Sequence, residues 1–145
     1  SPETELLETG GGIKKALPLL EDEVFVLCNG DIYSDFDLQT LPTSLTAGDL
    51  AHLVLVPKPP NREHGDFVCR EDRVVARGSD YVYAGVAMIH ADLFQYAPAG
   101  AFSLRGLLFD AVAKQRVGAQ IHRGQWIDIG TPEDYRRANA SLTTD

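Results

Sequence analysis

Hydrophobic residues in this 145-residue chain occur in short runs that are separated by polar, glycine-rich or proline-rich segments. The runs at residues 24–28 and 51–56 are apolar on nearly every position, which is typical of strands that are buried on both faces of a parallel sheet. A longer run at residues 81–89 contains Gly85, a residue that allows another group to approach a strand closely. These three runs are predicted to be the main strands of a sheet.

Helical spacing and helix-end signals mark three further segments. A helix is predicted from Ile13, where apolar residues recur every three to four positions, and Pro18 marks its last turn. A second helix is predicted over residues 103–115. The third is predicted to start with Thr131 as its N-cap and Pro132 in its first position.

Shorter elements complete the pattern and indicate the fold class. Residues 66–70 and 73–76 flank Glu71-Asp72 and are predicted to form an antiparallel hairpin, and residues 35–38 suggest a short helix. Strands that alternate with helices predict an α/β fold with a mostly parallel sheet and flanking helices. The length fits a single domain or part of one, because no linker or repeat divides residues 1–145.

Composition and charge exclude several kinds of partner. Thirteen basic against 21 acidic residues give a formal charge of −8, a surface that repels nucleic acid and anionic membranes. No apolar run approaches the roughly 20 residues of a membrane span, and the first residues do not resemble a signal peptide. Cys28 and Cys69 lack metal-ligand spacing and are expected to be buried free thiols. We therefore expect a cytoplasmic protein without nucleic-acid or membrane partners.

Two aspartates, almost 100 residues apart, each close an apolar run. Asp31 follows Asn29-Gly30 after the first predicted strand, and Asp128 lies within residues 126–129. Ligands of open α/β sheets collect beyond the carboxyl ends of the strands, so both carboxylates can converge on one divalent cation beside substrate phosphates. For Asp31 the alternative is a solvated turn, since Asn-Gly is a common hairpin signal. Asp128 has apolar neighbours and therefore requires a metal or a basic partner.

A run of three glycines, residues 10–12, precedes the first predicted helix. Glycines let a flat or anionic ligand approach the backbone, and a helix N-terminus offers unpaired N–H groups. A flexible turn is the alternative, because the run is neither a dinucleotide fingerprint nor a P-loop. The four histidines share no zinc-ligand spacing, and no serine lies in a nucleophile elbow. The pattern therefore favours phosphoryl or nucleotidyl transfer over zinc or serine chemistry.

Taken together, three segments resemble the sugar-1-phosphate nucleotidyltransferases, most closely the N-acetylmuramate-1-phosphate uridylyltransferases of bacterial cell-wall (peptidoglycan) recycling. Residues 7–20 resemble the family's nucleobase-side loop and helix, residues 29–31 its first metal motif and residues 126–131 its second, in the family's order. The resemblance implies a Rossmann-like fold of the nucleotide-diphospho-sugar transferase type.

The resemblance also implies roles for individual residues. Asp31 and Asp128 would be the catalytic residues and would hold Mg²⁺ against the α-phosphate of a nucleoside triphosphate. The implied reaction is in-line attack of a sugar-1-phosphate on that phosphorus, which forms UDP-N-acetylmuramate from UTP and releases pyrophosphate. Substrate-binding positions would be Gly10 and Gly11 along the base and ribose, Asn29 beside the metal, and Gly65, Tyr83 and Gly85 around the sugar.

Two departures from the family bear on these implications. The family's N-terminal strand and glycine-rich triphosphate loop have no counterpart in residues 1–145, so the domain is expected to be N-terminally incomplete and nearly inactive alone. Residues 74–78 stand where many relatives have Glu-Lys-Pro; the muramate-type enzymes also lack that tripeptide, and its absence leaves the identity of the sugar open. A mannose-1-phosphate guanylyltransferase and a non-catalytic nucleotide-sugar-binding regulatory protein are the alternatives. No oligomeric state is predicted.

Overall fold

The main sheet is mixed and contains six strands. The computed structural model describes residues 1–143, and within them the strand order is β1-β6-β3-β7-β5-β4. A separate two-stranded sheet pairs β2 with β8. The strands are β1 (Val24–Cys28), β2 (Ile32–Ser34), β3 (Ala51–Pro57), β4 (Phe67–Arg70), β5 (Arg73–Arg77), β6 (Tyr81–His90), β7 (Val117–Ile121) and β8 (Trp126–Asp128), and the helices are α1 (Glu8–Ala16), α2 (Leu104–Ala113) and α3 (Pro132–Leu142).

The direction of the strands confirms the predicted α/β class with a parallel core. Strands β1, β3 and β7 run the same way, and β3 pairs with β7 in parallel. The long strand β6 lies antiparallel between β1 and β3, and the β4–β5 hairpin is antiparallel as predicted. The sheet is therefore mixed rather than mostly parallel, because β6 is inserted between two strands that would otherwise be neighbours.

The hydrophobic core has two layers, one on each face of β3. Leu53 and Leu55 belong to the larger layer, which includes residues of α2, whereas Val54 and Val56 belong to the smaller layer under Trp126. The prediction that this strand is buried on both faces is confirmed. Together the two layers fix α2 and β8, the elements that flank the candidate site.

Strand β1 differs from its prediction, because it lies at an edge of the sheet. It pairs only with β6 among the described residues, and the side chain of Val26 is 51% exposed. Phe25 and Leu27 pack against the core. Cys28 is exposed and Cys69 is partly buried, so the expectation of two buried thiols is wrong.

Helix α1 begins earlier than predicted and contains the three glycines. Gly10 and Gly11 are buried, and their N–H groups donate to the carbonyl of Phe102 at 3.0 and 3.3 Å. A β-carbon added to Gly10 would lie 2.5 Å from the Phe102 ring. The glycines therefore serve close packing of α1 against residues 100–102. The predicted helix start at Ile13 is wrong, and so is the flexible-turn alternative for the glycines.

The other two helices form close to their predicted positions. Ser103 caps α2, and the Thr131 hydroxyl oxygen accepts from the Asp134 N–H at 3.1 Å at the start of α3. The Thr131 hydroxyl donates to the Asp134 carboxylate, which lowers the pKa of that carboxyl. The short helix expected at residues 35–38 is a 3₁₀ turn at Leu38–Thr40.

Within residues 1–143, no helix has both the length and the apolar character needed to cross a membrane.

Candidate active site

A cavity of about 260 Å³ opens where the end of β1, the β2–β8 pair and the first turn of α2 meet. It combines charged and aromatic side chains in a space that suits a small polar ligand. Its lining includes three carboxylates (Asp31, Asp66 and Asp128), two guanidinium groups (Arg62 and Arg105) and four aromatic rings (Phe67, Tyr83, Phe109 and Trp126).

The structure brings Asp31 and Asp128 to this one cavity, on either side of Gly130. A β-carbon added to Gly130 would lie 3.2 Å from Asp128 Oδ1 and 3.8 Å from Asp31 Oδ2. The Gly130 N–H donates to Asp128 Oδ1 at 3.0 Å, and the Ile129 N–H donates to the Asp31 carbonyl at 2.9 Å. The two carboxylates therefore converge, as the sequence predicted.

The two aspartates do not come from one sheet, however. Asp31 lies between β1 and β2, whereas Asp128 is the last residue of β8 and pairs with Ile32 of β2. Asn29-Gly30 does not close a hairpin, because β1 pairs with β6 and β2 pairs with β8. The hairpin signal of Asn29-Gly30 is therefore wrong, although Asp31 does lie exposed in a turn, as its solvated-turn alternative expected. The route by which Asp128 reaches the site differs from the expected one.

Arg62 is the basic partner of Asp128. Its Nη2 donates to Asp128 Oδ2 at 3.2 Å, and its Cζ lies 5.7 Å from the centre of the Trp126 ring. Both partners are more than a third exposed, so water screens the pair and a stronger ligand can replace Arg62. The sequence did not identify Arg62, because it lies in a loop without periodicity, 66 residues from its partner.

The donor set at the two aspartates fits Mg²⁺ better than a transition metal. The described residues hold no group of three or more His, Cys, Asp or Glu side chains able to bind a metal. Zinc sites need three or four such ligands. Mg²⁺ keeps several waters and is often held by one or two carboxylates together with substrate phosphates. Asp31 and Asp128 are the residues that can hold it.

Among the predicted substrate-binding residues, Asn29 and Tyr83 line the cavity. Gly85 lies directly behind Asn29: its φ of +85° is left-handed, and a β-carbon there would be 3.2 Å from the Asn29 Cβ. The Asn29 N–H donates to the Gly85 carbonyl at 2.8 Å. Gly85 therefore positions Asn29 rather than facing the cavity itself.

The other three predicted glycines lie outside the lining of this cavity. A β-carbon added to Gly65 would lie 2.8 Å from the backbones of Ser79 and Tyr81, so Gly65 permits close packing beside Asp66. Gly10 and Gly11 face Phe102, and Thr9 is the residue of α1 that reaches the cavity. A role for Gly10 and Gly11 along a nucleotide base stays a prediction.

Tyr83 and Asp66 both line the cavity and contact each other. The Tyr83 hydroxyl is buried and has no hydrogen-bond partner within residues 1–143. Burial, and secondarily the nearby Cys28 thiol, raise the pKa of Tyr83. Asp66 accepts from the Tyr83 N–H at 3.0 Å and from Arg105 Nη2 at 3.0 Å. Asp66 and Arg105 were not identified as site residues from the sequence.

The buried Tyr83 hydroxyl predicts a loss of stability at alkaline pH. Its folded-state pKa lies above the unfolded value of about 10, so the unfolded chain releases this proton first as pH rises and stability falls above about pH 10. Tyr83→Phe removes this contribution. Thermal unfolding at pH 9 and pH 11 should show a smaller drop in Tm for the variant, and equal drops in both proteins would contradict the assignment.

Comparison with known proteins identifies relatives of the chain. No family model matches the chain. The N-acetylmuramate alpha-1-phosphate uridylyltransferase of Neisseria meningitidis is 35% identical over 142 residues, which cover 92% of this chain and 62% of that protein. The D-glycero-alpha-D-manno-heptose 1-phosphate guanylyltransferase of Campylobacter jejuni is 31% identical over 140 residues, covering 93% and 63%.

Solved structures agree with the sequence relatives. HddC from Yersinia pseudotuberculosis, solved as a complex with GMP-PN, superposes with a TM-score of 0.74 at 25% identity over 97% of this chain and 64% of that one. The inositol-1-phosphate CTP transferase of T. maritima shares the fold, with a TM-score of 0.69 at 18% identity over 95% and 62%. The chain spans less than two thirds of each of these proteins. By sequence and by fold, the homologues of this chain are sugar-1-phosphate nucleotidyltransferases.

Proposed function

We propose that the protein containing this chain transfers a uridylyl group from UTP to N-acetylmuramate 1-phosphate and releases pyrophosphate. The observation that carries the proposal is the convergence of Asp31 and Asp128 around Gly130 in one cavity. The similarity to a uridylyltransferase over 92% of the chain supports the choice of substrates. The product would feed peptidoglycan recycling, and the reaction would take place in the cytoplasm.

The chemistry is in-line displacement at phosphorus. A phosphate oxygen of the sugar-1-phosphate attacks the α-phosphorus, the new P–O bond forms, and the bond to the β-phosphate breaks with release of pyrophosphate. No covalent enzyme intermediate is needed, so positioning and charge stabilisation dominate catalysis. Mg²⁺, when bound, supplies neutralisation of the charge on the transferring group.

The residues of this chain would hold and orient the reactants. Asp31 and Asp128 would hold Mg²⁺, and the Gly130 N–H would fix the orientation of the Asp128 carboxylate. Arg62, released from Asp128, would place its guanidinium beside the phosphates. In the proposal, Asn29 beside the metal and Tyr83 beside the sugar contact the substrate. Gly65 and Gly85 keep the backbone around the sugar closely packed, and Gly10 and Gly11 hold α1 near the base.

Truncation of Tyr83 tests where the sugar binds. Tyr83→Ala should raise the KM for the sugar phosphate by about 10-fold, which corresponds to a loss of about 1.4 kcal/mol of binding free energy, because it removes a ring from the cavity lining. The KM for UTP should change much less. Steady-state kinetics with each substrate varied in turn give both constants, and equal increases would count against this placement.

Two other functions remain as competitors. The first is a guanylyltransferase, such as one that acts on mannose 1-phosphate. It is favoured by the similarity to the guanylyltransferase of Campylobacter jejuni and to HddC, which was solved with GMP-PN. The second is a non-catalytic nucleotide-sugar-binding regulatory protein. Formation of product separates the enzymes from the regulator, and the triphosphate consumed separates the two enzymes.

A panel of substrates decides between these functions. The product of the complete reading frame that includes these residues is incubated with UTP, GTP, dTTP or CTP and with the 1-phosphates of N-acetylmuramate, N-acetylglucosamine, glucose or mannose. Products are identified by mass spectrometry. UDP-N-acetylmuramate as the dominant product is the expected result. GDP-mannose as the dominant product would replace the proposal with the first competitor.

A further inference from the structure

We infer that Arg105 is a specificity-determining residue that binds the carboxylate of an acidic sugar 1-phosphate. This inference rests on the proposed function. It names the residue that recognises the carboxylate of the sugar, a group that the two aspartates cannot bind. The juxtaposition that carries it is an arginine of helix α2 held over the cavity by the nearly buried carboxylate of Asp66. N-acetylmuramate carries a lactyl carboxylate, whereas N-acetylglucosamine, mannose and heptose do not.

Arg105 enters the cavity from the first turn of α2, where Asp66 binds it and its Cζ lies 5.5 Å from the centre of the Phe109 ring. Its Nη2 donates to Asp66 Oδ1 at 3.0 Å, while the Asp66 side chain is only 12% exposed and Arg105 is 64% exposed. The guanidinium has five N–H donors in a planar fork. Asp66 is its only hydrogen-bond partner among residues 1–143, so a second face of the fork is available to a ligand.

Asp66, the partner of Arg105, and Asn29, two residues before Asp31, contact β6 at different residues. Asp66 contacts β6 at the N–H of Tyr83, and Asn29 contacts the same strand at the carbonyl of Gly85. These two contacts are two residues apart, or about 7 Å along a strand. This is close to the width of a sugar ring. A substrate whose phosphate lies beside Asp31 would therefore place the far side of its sugar toward Arg105.

Charge supports an anionic group at this end. The three carboxylates and two guanidinium groups of the lining give a formal charge of −1, and a divalent cation on the two aspartates would make it +1. Arg62 contacts Asp128 and therefore lies at the end of the cavity where the proposal places the phosphates. Arg105 is the remaining cation of the lining, and a planar guanidinium matches a carboxylate through two parallel hydrogen bonds.

Matched arginine variants test the inference. Arg105→Met removes the charge and leaves the Asp66 carboxylate, which is 12% exposed, without its cation, so urea unfolding of each variant is measured alongside binding. Arg105→Lys keeps the charge but loses the fork. The control is Arg77→Met, because Arg77 stacks on the same Phe109 ring, with its Cζ 3.8 Å from the ring centre, but does not line the cavity. Calorimetry and steady-state kinetics on the complete gene product compare N-acetylmuramate 1-phosphate with N-acetylglucosamine 1-phosphate.

Arg105→Met should weaken binding of N-acetylmuramate 1-phosphate by about 10- to 100-fold, the loss expected for a charged hydrogen bond, and should change binding of N-acetylglucosamine 1-phosphate less than about threefold. Arg105→Lys should recover part of the loss, and Arg77→Met should change neither. Equal losses on both sugars would assign Arg105 to the phosphate or to structure and overturn the inference, as would no loss on either. If the wild-type protein binds neither sugar phosphate, the proposed function itself fails.

Discussion

Replacement of Asp128 by Asn should reduce kcat by at least about 100-fold, because metal stabilisation of a transferring phosphate supplies several kcal/mol. Asn has the shape of Asp but lacks its charge, so the Gly130 N–H retains an acceptor while the affinity for Mg²⁺ falls. Pyrophosphate release should be measured across a Mg²⁺ titration. The variant should need far more Mg²⁺ than the wild-type protein and should stay slower at saturation.

The fold should survive this change, which makes the loss of rate interpretable. The Arg62–Asp128 pair is exposed enough to contribute no more than about 1 kcal/mol, and β8 keeps its backbone pairing with β2. Asp22→Asn is a suitable control, since Asp22 is exposed and outside the cavity. A folded Asp128→Asn variant with near-normal turnover would remove Asp128 from the proposed metal site.

Replacement of Arg73 by Met should lower the free energy of unfolding by about 2–4 kcal/mol. Arg73 donates through Nη1 and Nη2 to the two Asp49 oxygens at 2.5 and 2.9 Å, and the Asp49 side chain is only 6% exposed. The hydrogen bond to Asp49 raises the pKa of Arg73. Loss of the arginine leaves a buried carboxylate without its cation, although the partial exposure of Arg73 moderates the cost.

Urea unfolding of three variants measures this effect. Arg70→Met, at an exposed position of the same hairpin, should cost less than about 0.5 kcal/mol. The double variant Asp49→Asn/Arg73→Met should be less destabilised than Arg73→Met alone, because it removes the uncompensated charge. Ordinary surface substitutions change stability by less than about 0.5 kcal/mol. A loss below that value for Arg73→Met would contradict the prediction and show that Asp49 finds another partner or remains solvated.

Elements with local signals were predicted well from the sequence. Helix α3 begins where Thr131 and Pro132 indicate, because a cap and the fixed φ of proline act within one turn. The hairpin β4–β5 turns at Glu71 and Asp72, which both have positive φ as a tight hairpin turn requires. Such features depend on neighbouring residues alone.

Elements whose environment is set by distant residues were predicted less well. Gly10 and Gly11 have the composition of a loop, but contact with Phe102, more than 90 residues away, holds them in a helix. The apolar run at Val24–Cys28 resembles a central strand, yet within residues 1–143 it pairs with β6 alone and lies at the edge of the sheet. Propensity and periodicity contain no information about which strand becomes a neighbour.

The candidate site shows the same division. Asp31 and Asp128 were predicted to converge because each ends an apolar run, although Asp128 arrives through the β2–β8 pair. Arg62 and Arg105 were missed, since their partners Asp128 and Asp66 lie 66 and 39 residues away. An arginine in a loop or on a helix surface has no sequence signal that distinguishes a site residue from a solvated one.

The central claim is tested most directly by the Mg²⁺ dependence of pyrophosphate release from UTP and N-acetylmuramate 1-phosphate. The product of the complete reading frame is stripped of metal by chelation, and release is followed before and after Mg²⁺ is added back. We predict no release without metal and recovery with Mg²⁺ in the wild-type protein. Absence of release under both conditions, from folded protein that binds a nucleotide sugar, would contradict the account and favour a regulatory role.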